Sequence, residues 1–132
     1  MDQLSIIAGR QGMSTLIDCH ALSVDYVAIP DDIEFVVRHV MSRELAGSEY
    51  ADRVAQCALA EQRIGPLRLA DSRSVIDIDD EVIMRRARHV VTENQRVRDF
   101  AAALAAHDIE SAGRLMTESH HSLASDFETS ND

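Results

Sequence analysis

The chain has no Lys and no Trp among its 132 residues. All 13 basic residues are Arg, against 23 Asp and Glu, and the formal net charge is -10. The lack of Lys carries no chemistry by itself. The acidic balance argues against nucleic acid or an anionic membrane surface as the main partner. Only two cysteines occur, Cys19 and Cys57. A disulfide framework needs more of them in a shorter secreted chain, so a reducing compartment suits this composition. Five glycines are scattered: Gly9 and Gly12 are isolated, and Gly113 sits inside a helical pattern. Backbone amides cradle phosphate where glycines cluster or an equivalent nest forms, and neither pattern is visible. No apolar run approaches a membrane span, and no basic start leads into an apolar stretch. No membrane association is expected, and the cytoplasm is the default location.

Hydrophobic residues make up 45% of the chain and charged residues 27%, ordinary proportions for a soluble domain. The length suits one domain with a usable core. Residues 2–8 read as the end of a helix that stops near Gly9 or Gly12. Three strand-like runs follow, 14–19, 24–29 and 33–41. The short gap between the first two predicts an antiparallel hairpin, and Pro30-Asp31-Asp32 is a turn signal. The third run is rich in Val, Ile and Phe.

From Ser48 the pattern turns helical. Ser48 is a candidate N-cap, with Glu49 and Asp52 in the first turn. Tyr50, Val54, Cys57, Ala58 and Glu61 recur at helical spacing until Gly65-Pro66 ends the element. Residues 67–80 read as a looser link with at most a short turn. The longest helix is predicted over 81–106, capped by Asp80, with Ile83, Ala87, Val90, Asn94, Val97, Ala101 and Leu104 on one stripe. Asp108 should cap a last helix over 109–122, with Ala112, Leu115, Met116 and Leu123 inward. The polar tail, 125–132, is expected to fray. The fold class is therefore α+β, about three antiparallel-leaning strands followed by three helices. So thin a sheet should leave some strand edges unpaired.

Four sequence blocks stand out. They are Ser48-Glu49-Tyr50-Ala51-Asp52-Arg53, Arg85-Arg86-Ala87-Arg88-His89-Val90-Val91-Thr92-Glu93-Asn94, Gly113-Arg114-Leu115-Met116 and Ser119-His120-His121-Ser122-Leu123. In this order they resemble the central and later part of galactokinases, in the GHMP family of small-molecule kinases. The resemblance covers nearly the whole chain. It implies a partial GHMP-kinase fold: residues 1–12 ending the helix that carries the catalytic aspartate, 13–41 the strands, 48–124 the helical part and 125–132 the tail. It also implies a parent activity, transfer of the ATP γ-phosphate to the C1 hydroxyl of galactose, with Mg²⁺ as the accompanying ion.

Read as residues alone, Asp2 is either a frayed helix start or a carboxylate able to align and deprotonate a hydroxyl. Met1-Asp2-Gln3 is similar to the end of the family's Gly-x-Met-Asp-Gln motif, and the resemblance implies that Asp2 is the base. Tyr50 alone could pack on the core or meet a sugar with its ring and hydroxyl. The resemblance implies a galactose contact. Arg85, Arg86, Arg88 and His89 read as a solvated or ion-paired helix face rather than a phosphate site. His20, His39, His89, His107, His120 and His121 show no zinc-binding spacing, so no metal site is expected.

The family's glycine-rich ATP loops are not found in this stretch, so no cofactor-binding residue is assigned and the chain by itself is expected to transfer no phosphate. Two departures bear on the sugar side and the tail. Arg38-His39 stands at a strand end where relatives carry Asp, Asn or Ser. Asp126-Phe127-Glu128-Thr129-Ser130 resembles the family's Asp-Tyr-Glu-Val-Ser without its proline-containing continuation. Three readings follow: an incomplete galactokinase acting on galactose or a related hexose, a non-catalytic sugar-binding or regulatory module, or one part of a split kinase with a complementary fragment as partner.

Overall fold

The structure is a computed structural model that describes residues 2–38 and 50–129. Helix α1 covers Asp2–Ala8, followed by strands β1 (Met13–Asp18) and β2 (Ser23–Ala28). Helices α2 (Tyr50–Ile64), α3 (Glu81–Ala105) and α4 (Ile109–Ser125) complete the described elements, with a 3-10 turn at Ser74–Asp77 between α2 and α3. The α+β class is as expected. Among the described residues no helix is long and apolar enough to cross a membrane.

β1 and β2 form the expected antiparallel hairpin, with Met13 opposite Ala28 and Asp18 opposite Ser23. Its turn is built by Asp18, whose carboxylate accepts from the amides of His20 and Ala21, both at 2.9 Å. These two backbone bonds, with a smaller contribution from the Arg68 charge, hold the Asp18 carboxyl below its usual range. The Pro30-Asp31-Asp32 turn also forms, closed by the Ile33 amide on the Pro30 carbonyl at 3.1 Å.

The helix ends follow the chemistry of their caps. Gly65, at φ +80°, takes the left-handed position that stops α2, and its amide bonds the Glu61 carbonyl at 3.0 Å. Asp80 caps α3 by accepting from the Val82 and Ile83 amides, and Asp108 caps α4 by accepting from Ser111. The proposed N-cap of α2, Ser48, lies outside the described residues.

Two apolar clusters hold the helices together. In the first, Ala60 of α2 meets Leu67, Val75 and Ile78 of the link and Ile83 and Ala87 of α3. In the second, Ala103 and Leu104 of α3 meet Ala112 and Leu115 of α4, with Val27 of β2, Ile33 and Phe100 packed alongside. Each fully buried Val, Leu or Ile contributes about 1.5–3 kcal/mol relative to exposure.

Several expectations are corrected. The third strand does not form over residues 33–38, and the sheet among the described residues has two strands; positions 39–41 of that run lie outside the described residues. The missing ladder has a simple cause: no described strand lies beside 33–38 to accept its backbone bonds. On α2, Val54 and Ala58 face solvent, and the buried positions are Arg53 and Ala60. On α3 the stripe holds at Ile83, Ala87 and Leu104, but Val97 is exposed and Val91 and Ala103 are buried instead. The buried face drifts around a 25-residue helix because it serves first α2 and then α4. Met116 of α4 is likewise exposed. The tail does not fray through Thr129, for reasons given next.

Candidate functional site

Asp2 lies in the first turn of α1, where a carboxylate suits the helix dipole. Its side chain is exposed, and no described residue bonds its carboxylate; its backbone carbonyl accepts from Ser5 Oγ at 2.8 Å. α1 rests on the hairpin, where the Tyr26 hydroxyl donates to the Ala8 carbonyl at 2.9 Å. Arg10 stacks over the Tyr26 ring, its guanidinium 3.9 Å from the centroid.

Tyr50 is the first residue of α2 and is 74% exposed, so it is not a core tyrosine. A bare ring and hydroxyl at a helix start can offer a sugar an apolar face and a polar partner. Asp2 and Tyr50 are carried by elements with different supports, α1 on the hairpin and α2 on α3. No hydrogen bond joins the two side chains among the described residues.

The best-developed polar constellation lies elsewhere, where α2 and α3 meet the tail. Arg86 is 1% exposed, and all three of its guanidinium nitrogens are used. Nε donates to Gln56 Oε1 at 2.8 Å, Nη1 to the Asp126 carbonyl at 2.5 Å and Nη2 to Glu128 Oε2 at 2.6 Å. Arg53 of α2 donates to the carbonyls of Phe127 and Glu128 at 2.6 and 3.1 Å. Arg85 donates to the Ser125 carbonyl and pairs with Glu128 at 2.8 Å. Arg88 bonds both carboxylate oxygens of Asp126. Below these contacts His89, buried, bonds Ser122 Oγ at 2.9 Å and lies 4.5 Å from the Phe127 ring.

The electrostatics follow from this geometry. The Arg86 bond, supported by the charges of Arg86 and Arg85, holds the Glu128 carboxyl below its usual range. Burial pushes the Asp126 carboxyl up, but the bonds and charge of Arg88 outweigh it and the net direction is down. Burial lowers His89 and outweighs the opposing charge of Glu93. Glu128 stands at φ 53°, a region costly for a non-glycine residue, and three arginines hold it there.

The expected solvated or ion-paired helix face is thus ion-paired but, at Arg86 and His89, buried. Residues 125–129 are anchored where fraying was expected. The sequence contained the parts, four basic residues in one helix and two acids in the tail. No spacing rule joins groups about 40 residues apart, so their convergence was not readable.

The phosphates and Mg²⁺ implied by the resemblance can be tested against these residues. The amides at the starts of α3 and α4 are engaged by Asp80 and Asp108. No three His, Cys, Asp or Glu side chains converge to hold a metal ion among the described residues. Neither the starts of α3 and α4 nor any cluster of His, Cys, Asp or Glu among the described residues offers a site for ATP phosphates or Mg²⁺.

Known proteins resemble this chain along nearly its whole length. A galactokinase of Mycobacterium tuberculosis is 43% identical over 136 residues, covering 96% of this chain and 38% of that protein. A Bos taurus galactokinase is 38% identical over 137 residues, covering 98% of this chain and 35% of its own length. The structure of Lactococcus lactis galactokinase complexed with galactose superposes with a TM-score of 0.79 at 26% identity, over 93% of this chain and 35% of that one. The chain thus spans under two fifths of the length of these relatives. No family model matches it.

Proposed function

We infer that this chain, a homologue of one part of galactokinase, supplies sugar-side residues to an ATP-dependent hexose kinase. The observation that carries the reading is the agreement of sequence and fold over the same residues. Identity of 43% and a TM-score of 0.79 each extend across more than nine tenths of the chain. The substrate is galactose or a close hexose, because the Lactococcus lactis galactokinase was crystallised with galactose.

In this reading Asp2 orients the reacting sugar hydroxyl and accepts its proton as the oxygen attacks phosphorus. Its carboxylate is exposed, and no described residue bonds it. Tyr50 binds the sugar through its ring and hydroxyl. ATP and Mg²⁺, when bound, supply the phosphoryl group and neutralise its charge, and their binding residues come from a complementary kinase part. The chain by itself transfers no phosphate, since neither ATP nor Mg²⁺ is positioned. A non-catalytic sugar-binding module is the second reading, favoured by the exposure of Tyr50 on a well-packed helix.

The test uses the purified chain and then the chain combined with a complementary galactokinase part. Galactose should raise the melting temperature of the chain, and a coupled assay should detect no ATP consumption. In the combined enzyme, Asp2→Asn should lower turnover about a hundredfold, the scale of general-base assistance. Tyr50→Phe should chiefly raise the sugar KM, because a binding contact serves ground and transition states about equally. Full turnover with Asn at position 2 sinks the assignment of the base.

A further inference from the structure

Helix α1, which carries Asp2, has little to hold it in place. It has seven residues and buries none of them. Isolated helices shorter than about 12 residues are marginal in water, so α1 depends on its attachments. The main one lies at the end away from Asp2. The last carbonyls of a helix have no donor within it, and for Ala8 the Tyr26 hydroxyl supplies one at 2.9 Å. Among the described residues this is the one hydrogen bond from a side chain outside α1 to that helix. The Arg10 guanidinium, 3.9 Å from the Tyr26 ring centroid, holds the ring that carries the hydroxyl. Successive residues of a strand point to opposite faces. Val27 therefore faces away from Tyr26, and it packs against the second apolar cluster. β2 thus joins α1 on one side to the helical region on the other.

We propose that Tyr26 is a positioning residue: its hydroxyl fixes the C-terminal end of α1 and, through the helix, sets where the Asp2 carboxylate stands. The inference rests on the reading of Asp2 as the base, and adds to it the group that aims that base. The lever is short and stiff. Asp2 and Ala8 are the two ends of α1, about 9 Å apart along the axis, so a swing of about 6° at Ala8 moves Asp2 by about 1 Å. A misplacement of about 1 Å can cost about a hundredfold in rate. No hydrogen bond at the Asp2 end opposes such a swing, because no described residue bonds the Asp2 carboxylate. Ile6 and Ile7, 80% and 82% exposed, give the helix no apolar anchor either. Phenylalanine at position 26 keeps the ring and its stack on Arg10 but has no donor for Ala8. The hydroxyl can therefore be removed without removing the packing.

Two measurements on Tyr26→Phe test this. In the purified chain, the amides of residues 6–8, which close the turns of α1, should exchange about fivefold faster, the weight of one net hydrogen bond. Those of α3 should be unchanged. Unaltered exchange in α1 overturns the proposal. In the enzyme combined with a complementary galactokinase part, turnover should fall about fivefold while the sugar KM holds. The deciding comparison repeats Tyr26→Phe in the Asp2→Asn background. A residue that acts only through Asp2 has nothing left to aim there, so no further loss is expected. An equal loss in both backgrounds marks a general structural effect and overturns the proposal. So does full turnover of Tyr26→Phe beside a crippled Asp2→Asn. If Asp2→Asn itself keeps full turnover while Tyr26→Phe still speeds exchange in α1, the base reading fails and the anchoring of the helix stands.

Discussion

The two regions of the molecule are built on different terms. In the helical region, residues 50–129, apolar side chains from three helices and a link enclose two clusters. Among the described residues every fully buried side chain lies there. In the first region, residues 2–38, α1 buries none of its residues and both strands are at best half-buried. Ile6 and Ile7 stand 80% and 82% exposed on α1. The hairpin reaches the core only through Val27, with Ile33 beyond it, against the second cluster. An isolated two-stranded hairpin is marginally stable at best in water, and α1 buries none of its own residues against this one. Local hydrogen bonds and turns therefore define the first region, whereas burial defines the second.

The largest effect should come from the centre of the helical region. Ala87 is 0% exposed, between α2 and α3. Ala87→Asp buries an unpaired charge in a filled space and should cost more than about 4 kcal/mol, enough to unfold the helices. Ile7→Asp, on the exposed side of α1, should stay within about 0.5 kcal/mol. Urea unfolding followed by circular dichroism measures both. Equal losses at the two sites would erase the contrast between the regions.

A smaller loss is expected at Arg86. Removing its buried guanidinium strands the Asp126 carbonyl and leaves Gln56 Oε1 only the longer bond from Arg53, and Arg86→Ala should cost about 3 kcal/mol, the scale for breaking a buried ionic contact. Its sharper signature is local: amides near Phe127 and Glu128 should lose exchange protection while those of α3 keep theirs. A uniform loss would mean that the tail and the helices form a single cooperative unit.

The smallest effect is a pH dependence. Burial keeps His89 neutral, with its folded pKa below the ordinary 6.5. The unfolded chain binds a proton at this site below about pH 6.5 that the folded chain refuses until lower pH. The stability linked to His89 is therefore complete above pH 6.5 and declines as pH falls from there toward the lowered folded value. Thermal melts between pH 7.5 and about 5, around the ordinary histidine pKa, should fall more steeply for the native chain than for His89→Gln. Parallel curves would show that other groups set the acid sensitivity. At still lower pH the depressed Asp126 and Glu128 carboxyls protonate and the tail contacts weaken.

Much of the local architecture was legible because it depends on neighbours in sequence. The aspartate caps at 80 and 108, the glycine stop at 65 and the hairpin across 19–22 are all settled within a few residues. What escaped depends on partners far along the chain. The run at 33–41 has strand composition, but a strand needs a neighbour, and none is described beside 33–38. Helix α3 shows a mixed stripe because its two ends face different partners, which periodicity alone cannot separate. For the candidate site, Asp2 and Tyr50 enter as candidates only through the resemblance to galactokinases. Nothing in their local spacing distinguishes a base from a helix start, or a sugar contact from a packing ring.

The bonds from Arg53 to the carbonyls of Phe127 and Glu128 join positions 74 and 75 apart. They close a noncovalent ring around α2, α3 and α4. For an unfolded chain, closing a ring of that size costs about 4–5 kcal/mol of chain entropy, more than a few hydrogen bonds return. Once the helices have packed, the two ends are already neighbours and the closure costs little. The ring is therefore a late event in folding and an early one in unfolding. Its contacts act on the lifetime of the assembled helices more than on the speed at which they assemble, as a latch closes a door already shut.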